Sequence, residues 1–205
     1  SGAMILPHFI RGAKVVILPG FDSKKLLETV EKERITTLYL VPTTIVMLLN
    51  DPDLKKYDLS SVKSIRYGAS PIAPDVLRQA IDAFGNVFLQ GYGLTEGSMP
   101  LTLLTKEDHI LDGSEKKLKR LSSVGREVTV AKVRIMGEDG QLLPPGEIGE
   151  IVARSDQVMR EYWKNPEATA EAFQGGWLHT RDMGYMDEDG YVFLVDCKGD
   201  MIVSG

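Results

Sequence analysis

The chain has 205 residues, enough for one large domain or two small ones, and its 43% hydrophobic and 26% charged fractions are those of an ordinary soluble globular protein. A formal net charge of −5 gives no electrostatic case for nucleic acid or an anionic membrane as partner, and no apolar run approaches the roughly 20 residues needed to span a bilayer. The one cysteine, Cys197, excludes an internal disulfide framework and fits a reducing, cytoplasmic setting.

Residues 1–3, small residues ahead of a Met, read as an expression scar and are set aside. "AKVVIL" (13–18) predicts a short buried strand, closed by Pro19-Gly20. Asp22 or Ser23 then caps a helix, because a side-chain oxygen there accepts from free backbone N–H groups. That helix places Leu26, Leu27 and Val30 on one face. "TTLYLV" (36–41) predicts the next strand, and a helix over 42–50 follows, stopped by "NDPD". "VKSIRY" (62–67) is a third strand. A helix starts near Pro74, buries Val76, Leu77, Ala80, Ile81 and Phe84, and ends at Gly85-Asn86, before a fourth strand over 87–90. Strand and helix alternating at this spacing mean βαβ units and a mostly parallel sheet, an α/β fold class.

After about residue 105 the texture changes. The basic cluster Lys116, Lys117, Lys119 and Arg120 reads as a solvated helix face. "VTVAKVRIM" alternates, Asp139-Gly140 signals a hairpin, and "EIGEIVARS" alternates again. A short helix falls over 165–173, and "DEDG" turns between "MGYM" and "YVFLVD". This half predicts a small antiparallel β-barrel or curled sheet. The boundary is placed near Ser122, giving an α/β subdomain over 4–122 and an antiparallel β subdomain over 123–205. The chain stops at Gly205 while its pattern still reads as structured, the expectation for a piece of something longer.

In a parallel sheet, ligands bind beyond the carboxyl ends of the strands. Two segments fall there, "GAS" (68–70) and "GYGLTEGS" (91–98). Glycines at 91, 93 and 97 allow close backbone approach and positive φ. Tyr92 offers a π-face for a ring, Thr95 a hydroxyl for a phosphate or carboxylate oxygen, and Glu96 a hard oxygen ligand for Mg²⁺ carried on a phosphate. The same spacing equally fits a Gly-rich turn with the tyrosine in the core and the glutamate in solvent. Asp182, before a turn, could accept from two vicinal hydroxyls or simply form that turn. His179 lacks a partner at ligand spacing and reads as packing, and Asp196 beside Cys197 argues against a reactive thiolate.

Taken together, these segments resemble the adenylate-forming superfamily of acyl-CoA synthetases, aryl-CoA ligases, luciferases and adenylation domains. The matching pieces run in family order: "FD" (21–22), "VPTTIVMLL" (41–49), "YDLSSVKSIRYGASPI" (57–72), "QGYGLTE" (90–96), "SVGRE" (123–127), "GEIGEIVARS" (147–155), "YWKNPEATAEAF" (162–173), "GWLHTRDMGYMDEDGY" (176–191) and "VDCKGDMIVSG" (195–205). The wording is nearest to fatty-acyl and medium-chain CoA ligases. The resemblance implies activation of a carboxylic acid with Mg-ATP to acyl-AMP and transfer to CoA. It implies that Tyr92 stacks on adenine, that Gly68, Ala69 and Ser70 line the adenine pocket with Gly93 nearby, and that Thr95 meets the α-phosphate. Glu96 would hold Mg²⁺ and Asp182 the ribose hydroxyls. Val41, Pro42, Thr43, Gln90, Gly91 and Leu94 would border the acyl tunnel, with Gln90, Gly91 and Leu94 also beside the nucleotide.

The family's Gly/Ser/Thr-rich phosphate loop is expected ahead of residue 1, and its mobile C-terminal domain beyond Gly205. Cys197 stands where members usually carry Arg, Gly199 where they carry Lys or Asp, and Arg181 where Gly is common. A thiol supplies neither the charge nor the forked donors of a guanidinium. The expectation is a ligase fragment that is inactive alone and self-associates through an open sheet edge. The alternatives are an acyl-AMP ligase or carrier-protein adenylation domain, and a non-catalytic nucleotide- or acyl-binding module.

Overall fold

The computed structural model describes residues 2–68, 72–110 and 113–197, with side chains from residue 5 to residue 195 of those spans. Their contacts divide the chain into two units, Ser1–Phe88 and Leu89–Gly205.

The first unit begins with helix α1 (Gly2–Ile10), which carries Pro7 inside it. Residues 13–18 then run without strand structure, and Ile17 is exposed. This corrects the strand expected there. Its β-forming residues meet no ladder among the described residues, and a strand exists only by pairing. Helix α2 (Ser23–Glu33) starts where Asp22 accepts from the Lys25 N–H at 2.7 Å, and it buries Leu27 and Val30. Strand β1 (Thr37–Leu40), helix α3 (Pro42–Leu49) and strand β2 (Ser64–Tyr67) form a βαβ unit, with β1 and β2 parallel and Thr37 opposite Ser64. Helix α4 (Pro74–Phe84) opens on a proline, whose missing N–H has no partner to lose, and closes on Gly85 at φ 80. The Ile65 N–H donates to the Val87 carbonyl at 2.7 Å. Leu27, Leu48 and Leu54 form a small core against Leu40 and Phe84.

Strand β3 (Phe88–Tyr92) carries the chain into the second unit. There it pairs antiparallel with β4 (Thr102–Leu104), Gln90 opposite Leu104. Helix α5 (Glu115–Arg120) follows, capped by Ser114, and then β5 (Arg126–Glu127), antiparallel to β4. Gly125, at φ 86, makes that approach possible, since a Cβ there would lie 2.1 Å from the Leu103 backbone. The predicted basic face of α5 is only partly solvated. Lys116 and Arg120 both pair with Asp189, and Lys119 lies over the rings of Tyr185 and Phe193.

The remaining elements build a curled antiparallel sheet: β6 (Ala131–Met136), β7 (Gly149–Ser155), helix α6 (Pro166–Ala172), β8 (Phe173–Gln174), β9 (Trp177–Met186) and β10 (Val192–Cys197). Their order is β10-β9-β7-β6, with β8 on β9. Alternation puts Val133, Ile135, Ile151, Ala153 and Val192 inward, where they enclose a core with Leu101 and Val124. Between β7 and β9 the register shifts: β9 runs from Met183 to His179 while β7 runs only from Glu150 to Val152. The surplus on β9 is a bulge over residues 180–182. Arg181 sits in it at φ 67, the left-handed conformation that the commoner glycine adopts without cost.

Candidate functional site

The loop after β3 and the bulge in β9 come together. The Tyr92 hydroxyl donates to Asp182 Oδ2 at 2.6 Å, joining residues 90 positions apart. Both are half-buried. The Asp182 backbone is itself held, since its N–H donates to Thr180 Oγ1 at 3.2 Å and the Thr180 hydroxyl donates to the Ile151 carbonyl at 2.7 Å. The tyrosine and the aspartate that the sequence singled out for separate reasons therefore form one unit.

Beyond Tyr92 the loop tightens into a single turn over Thr95–Gly97, begun by Leu94. Thr95 is exposed at its start, while Leu94 packs against the core of the second unit. Glu96 is half-buried, and its Oε1 accepts from the Tyr162 hydroxyl at 2.8 Å. That bond, with a smaller contribution from burial, raises the Tyr162 phenol above its ordinary range. The Glu96 carbonyl accepts from the Met159 N–H at 2.7 Å, so both ends of the residue are fixed by the segment after β7. Tyr162 was not singled out as a site residue from sequence, although it begins the quoted "YWKNPEATAEAF" stretch.

The loop's glycines serve its own folding. A Cβ at Gly93 would meet Met99 Cγ at 3.1 Å and the Leu101 nitrogen at 3.2 Å. One at Gly97 would meet the Leu101 side chain at 3.2 Å, and Gly91 has Pro100 at 3.5 Å. Gln90 points into the interior with its Oε1 buried and without a hydrogen-bond partner, an acceptor held out of water.

Other expected site residues lie in the first unit. Val41 is exposed and precedes α3, Pro42 is buried in its first turn, Thr43 is exposed, and Gly68 is half-buried just after β2. Ala69, Ser70 and Gly199 lie outside the described residues, as does the Cys197 side chain. His179 does have a partner, because its Nδ1 lies 3.0 Å from Glu150 Oε2. Among the described residues no group of three or more His, Cys, Asp and Glu side chains could hold a metal, and no helix is long and apolar enough to cross a membrane.

The family model for AMP-binding enzymes matches residues 1–163. The chain is 40% identical over 205 residues to the medium/long-chain-fatty-acid–CoA ligase FadD8 of Mycobacterium tuberculosis, covering 100% of this chain and 35% of that protein. It is 37% identical over 204 residues to a feruloyl-CoA synthase of an Amycolatopsis species, covering 100% of this chain and 40% of that one. Among solved structures, the amide bond synthetase McbA of Marinactinospora thermotolerans superposes with a TM-score of 0.86 at 37% identity, over 93% of this chain and 37% of McbA. The chain thus spans about a third to two-fifths of the length of these relatives.

Proposed function

Since the chain belongs to the AMP-binding enzyme family, we propose that it supplies the adenosine-binding part of an enzyme that activates a carboxylic acid. In the proposed reaction a carboxylate oxygen of the acid attacks the α-phosphorus of ATP, and pyrophosphate leaves with the displaced electron pair. The thiolate sulfur of CoA then attacks the acyl carbon of the mixed anhydride, and AMP leaves. A fatty acid is the favoured substrate, in line with the name of the mycobacterial relative. The relatives differ in acceptor, two being named for CoA and one for amide-bond formation, so the acceptor is the part of the reading that substrate screening must fix.

One observation carries this reading: the bond between Tyr92 and Asp182, made beside the loop that bears Thr95 and Glu96. Asp182 presents a carboxylate that accepts hydrogen bonds from both vicinal ribose hydroxyls, which would displace the Tyr92 phenol. Tyr92, released from that bond, offers its ring to the adenine face. The Thr95 hydroxyl, exposed at the turn, would donate to the α-phosphate. Glu96 fits a magnesium ion that arrives on the nucleotide, because Mg²⁺ takes one or two carboxylates together with substrate phosphates rather than a cage of protein ligands. The ion would supply neutralising charge to the phosphates. Tyr162 keeps the Glu96 carboxylate oriented by donating to one of its two oxygens.

Titration calorimetry with AMP on the full chain tests the proposal. Measurable binding is expected, weakened about tenfold or more in Asp182→Asn, the loss of roughly one charge-assisted hydrogen bond. An Asp182→Asn chain that binds AMP like the parent overturns it. The 205 residues alone are expected to bind and not turn over, so they should give no ATP–pyrophosphate exchange with fatty acids. The first unit also has an apolar groove of about 680 Å³, lined by Ile5, Val15, Ile17, Phe21, Leu38 and Leu40. Self-association through that face is expected, and sedimentation showing a monomer at high concentration would count against it.

A further inference from the structure

We propose that Glu150 is a positioning residue that aims the Asp182 carboxylate by holding His179, just ahead of the β9 bulge, and Arg181 within it. This rests on Asp182 being the ribose ligand. Glu150 lies on β7, opposite Met183 and just past the point where the register shifts. One of its oxygens, Oε1, accepts from the backbone N–H of Arg181 at 2.9 Å. The other, Oε2, lies 3.0 Å from His179 Nδ1. A carboxylate at this distance accepts, so the Nδ1 of His179 carries the proton. The glutamate and histidine side chains are only 17% and 15% exposed, which leaves the bridge little competition from water.

The need for a grip is visible in the backbone. Arg181 holds φ 67, a conformation disfavoured for any residue with a Cβ. It must be kept there by something outside itself. Its own side chain pairs with Glu171 at the surface. The neighbour Thr180 is fixed from the other face, donating to the Ile151 carbonyl and accepting from the Asp182 N–H. Glu150 therefore holds residues 179 and 181, the Ile151 carbonyl holds Thr180 between them, and Asp182 follows with its carboxylate directed at Tyr92. A ligand group is held well only when its support is also fixed. The His179 Nε2 is buried without a hydrogen-bond partner, so the ring's fixed contact is the one to Glu150.

The test uses the full chain, its Glu150→Gln variant, and both again in an Arg181→Gly background. Two readouts are taken: amide hydrogen exchange at Arg181 and Asp182, and calorimetry with AMP and 2′,3′-dideoxy-AMP. Glu150→Gln is expected to speed exchange at both amides about tenfold or more and to weaken AMP about tenfold. Binding of the dideoxy nucleotide, which has no ribose hydroxyls to offer, should change less than about twofold. Arg181→Gly, which adopts the left-handed conformation unaided, should restore most of the AMP affinity. Unchanged exchange at Arg181 overturns the proposal. So does a loss that strikes AMP and the dideoxy analogue equally, since that is what a merely stabilising residue would give. If the parent binds no AMP while exchange responds as described, the ribose assignment of Asp182 falls and the grip on the bulge stands. Glu150→Asp, with the charge kept and the reach shortened, is read the same way and covers the case in which the glutamine variant fails to fold.

Discussion

The two units bury their apolar residues in different frames. The second encloses its core: Leu101, Val133, Ile151, Ala153 and Val192 are fully buried and touch one another across the curled sheet. The first buries Leu27, Leu48, Ile65 and Leu77 between helices and a parallel strand pair, and each unit keeps exposed apolar residues, Ile10 at 83% in the first and Trp163 at 84% in the second. The antiparallel unit is the strand scaffold that carries Tyr92, Glu96 and Asp182, while the α/β unit packs helices on its strands. A frame of paired strands suits side chains that must be held to a fraction of an ångström, because each position is tied to its neighbours by a ladder.

Five substitutions would break or sharpen this contrast. The largest effect is expected at Gly125, where an added Cβ would lie 2.1 Å from the Leu103 backbone at a positive φ. Gly125→Ala should cost about 4 kcal/mol or more, read by urea unfolding, because neither strand can retreat without losing its ladder. Next are matched core truncations, one in each unit. Ile151→Ala, between paired strands, should cost about 4 kcal/mol, and Leu27→Ala, on a helix that can shift toward its neighbours, about 2 kcal/mol, because a site that can collapse recovers part of the loss. Equal costs would dissolve the contrast.

A smaller effect concerns pH. His109 is fully buried, with Nδ1 2.6 Å from the Thr105 carbonyl, and burial lowers its pKa below the ordinary 6.5 despite that bond and the nearby Asp108. The unfolded chain thus takes up the proton first as pH drops. Stability is fully present above 6.5 and is lost as pH falls from there towards the lower folded value. A urea midpoint that declines over this window in the parent, and less in His109→Gln, is the expected result. The smallest effect is at Arg181. Replacing it with glycine should stabilise the second unit by about 1 kcal/mol by removing the left-handed penalty, seen as a modest rise in Tm.

Much of the fold was legible because its signals are local. Asp22 as a cap, Pro74 and Gly85 as the two ends of one helix, and alternation over residues 131–136 each need only a few neighbours. The stretch 13–18 misled for the same reason, since a run of β-formers states a preference and a ladder requires a partner. In the site, Tyr92, Glu96 and Asp182 could be picked out by residue chemistry and motif order. Their mutual arrangement could not. Tyr162 reaches Glu96 across 66 positions and Tyr92 reaches Asp182 across 90, and nothing in the intervening pattern encodes those distances. His179 has no partner at ligand spacing in the sequence, and Glu150, 29 positions away, is brought beside it by the pairing of β7 with β9.

The shift between those two strands also sets how the chain tolerates a change of length. From His179 to Met183 the bulged strand takes four steps against its neighbour's two, an even surplus. Side chains alternate with a period of two, so Leu178 before the bulge and Gly184 after it still face the same interior. Removing one residue there would invert everything downstream, turning Gly184 outward and Tyr185 inward. Removing two would keep the sidedness and erase only the excursion that carries the aspartate. Insertions and deletions at this corner are therefore constrained to come in pairs.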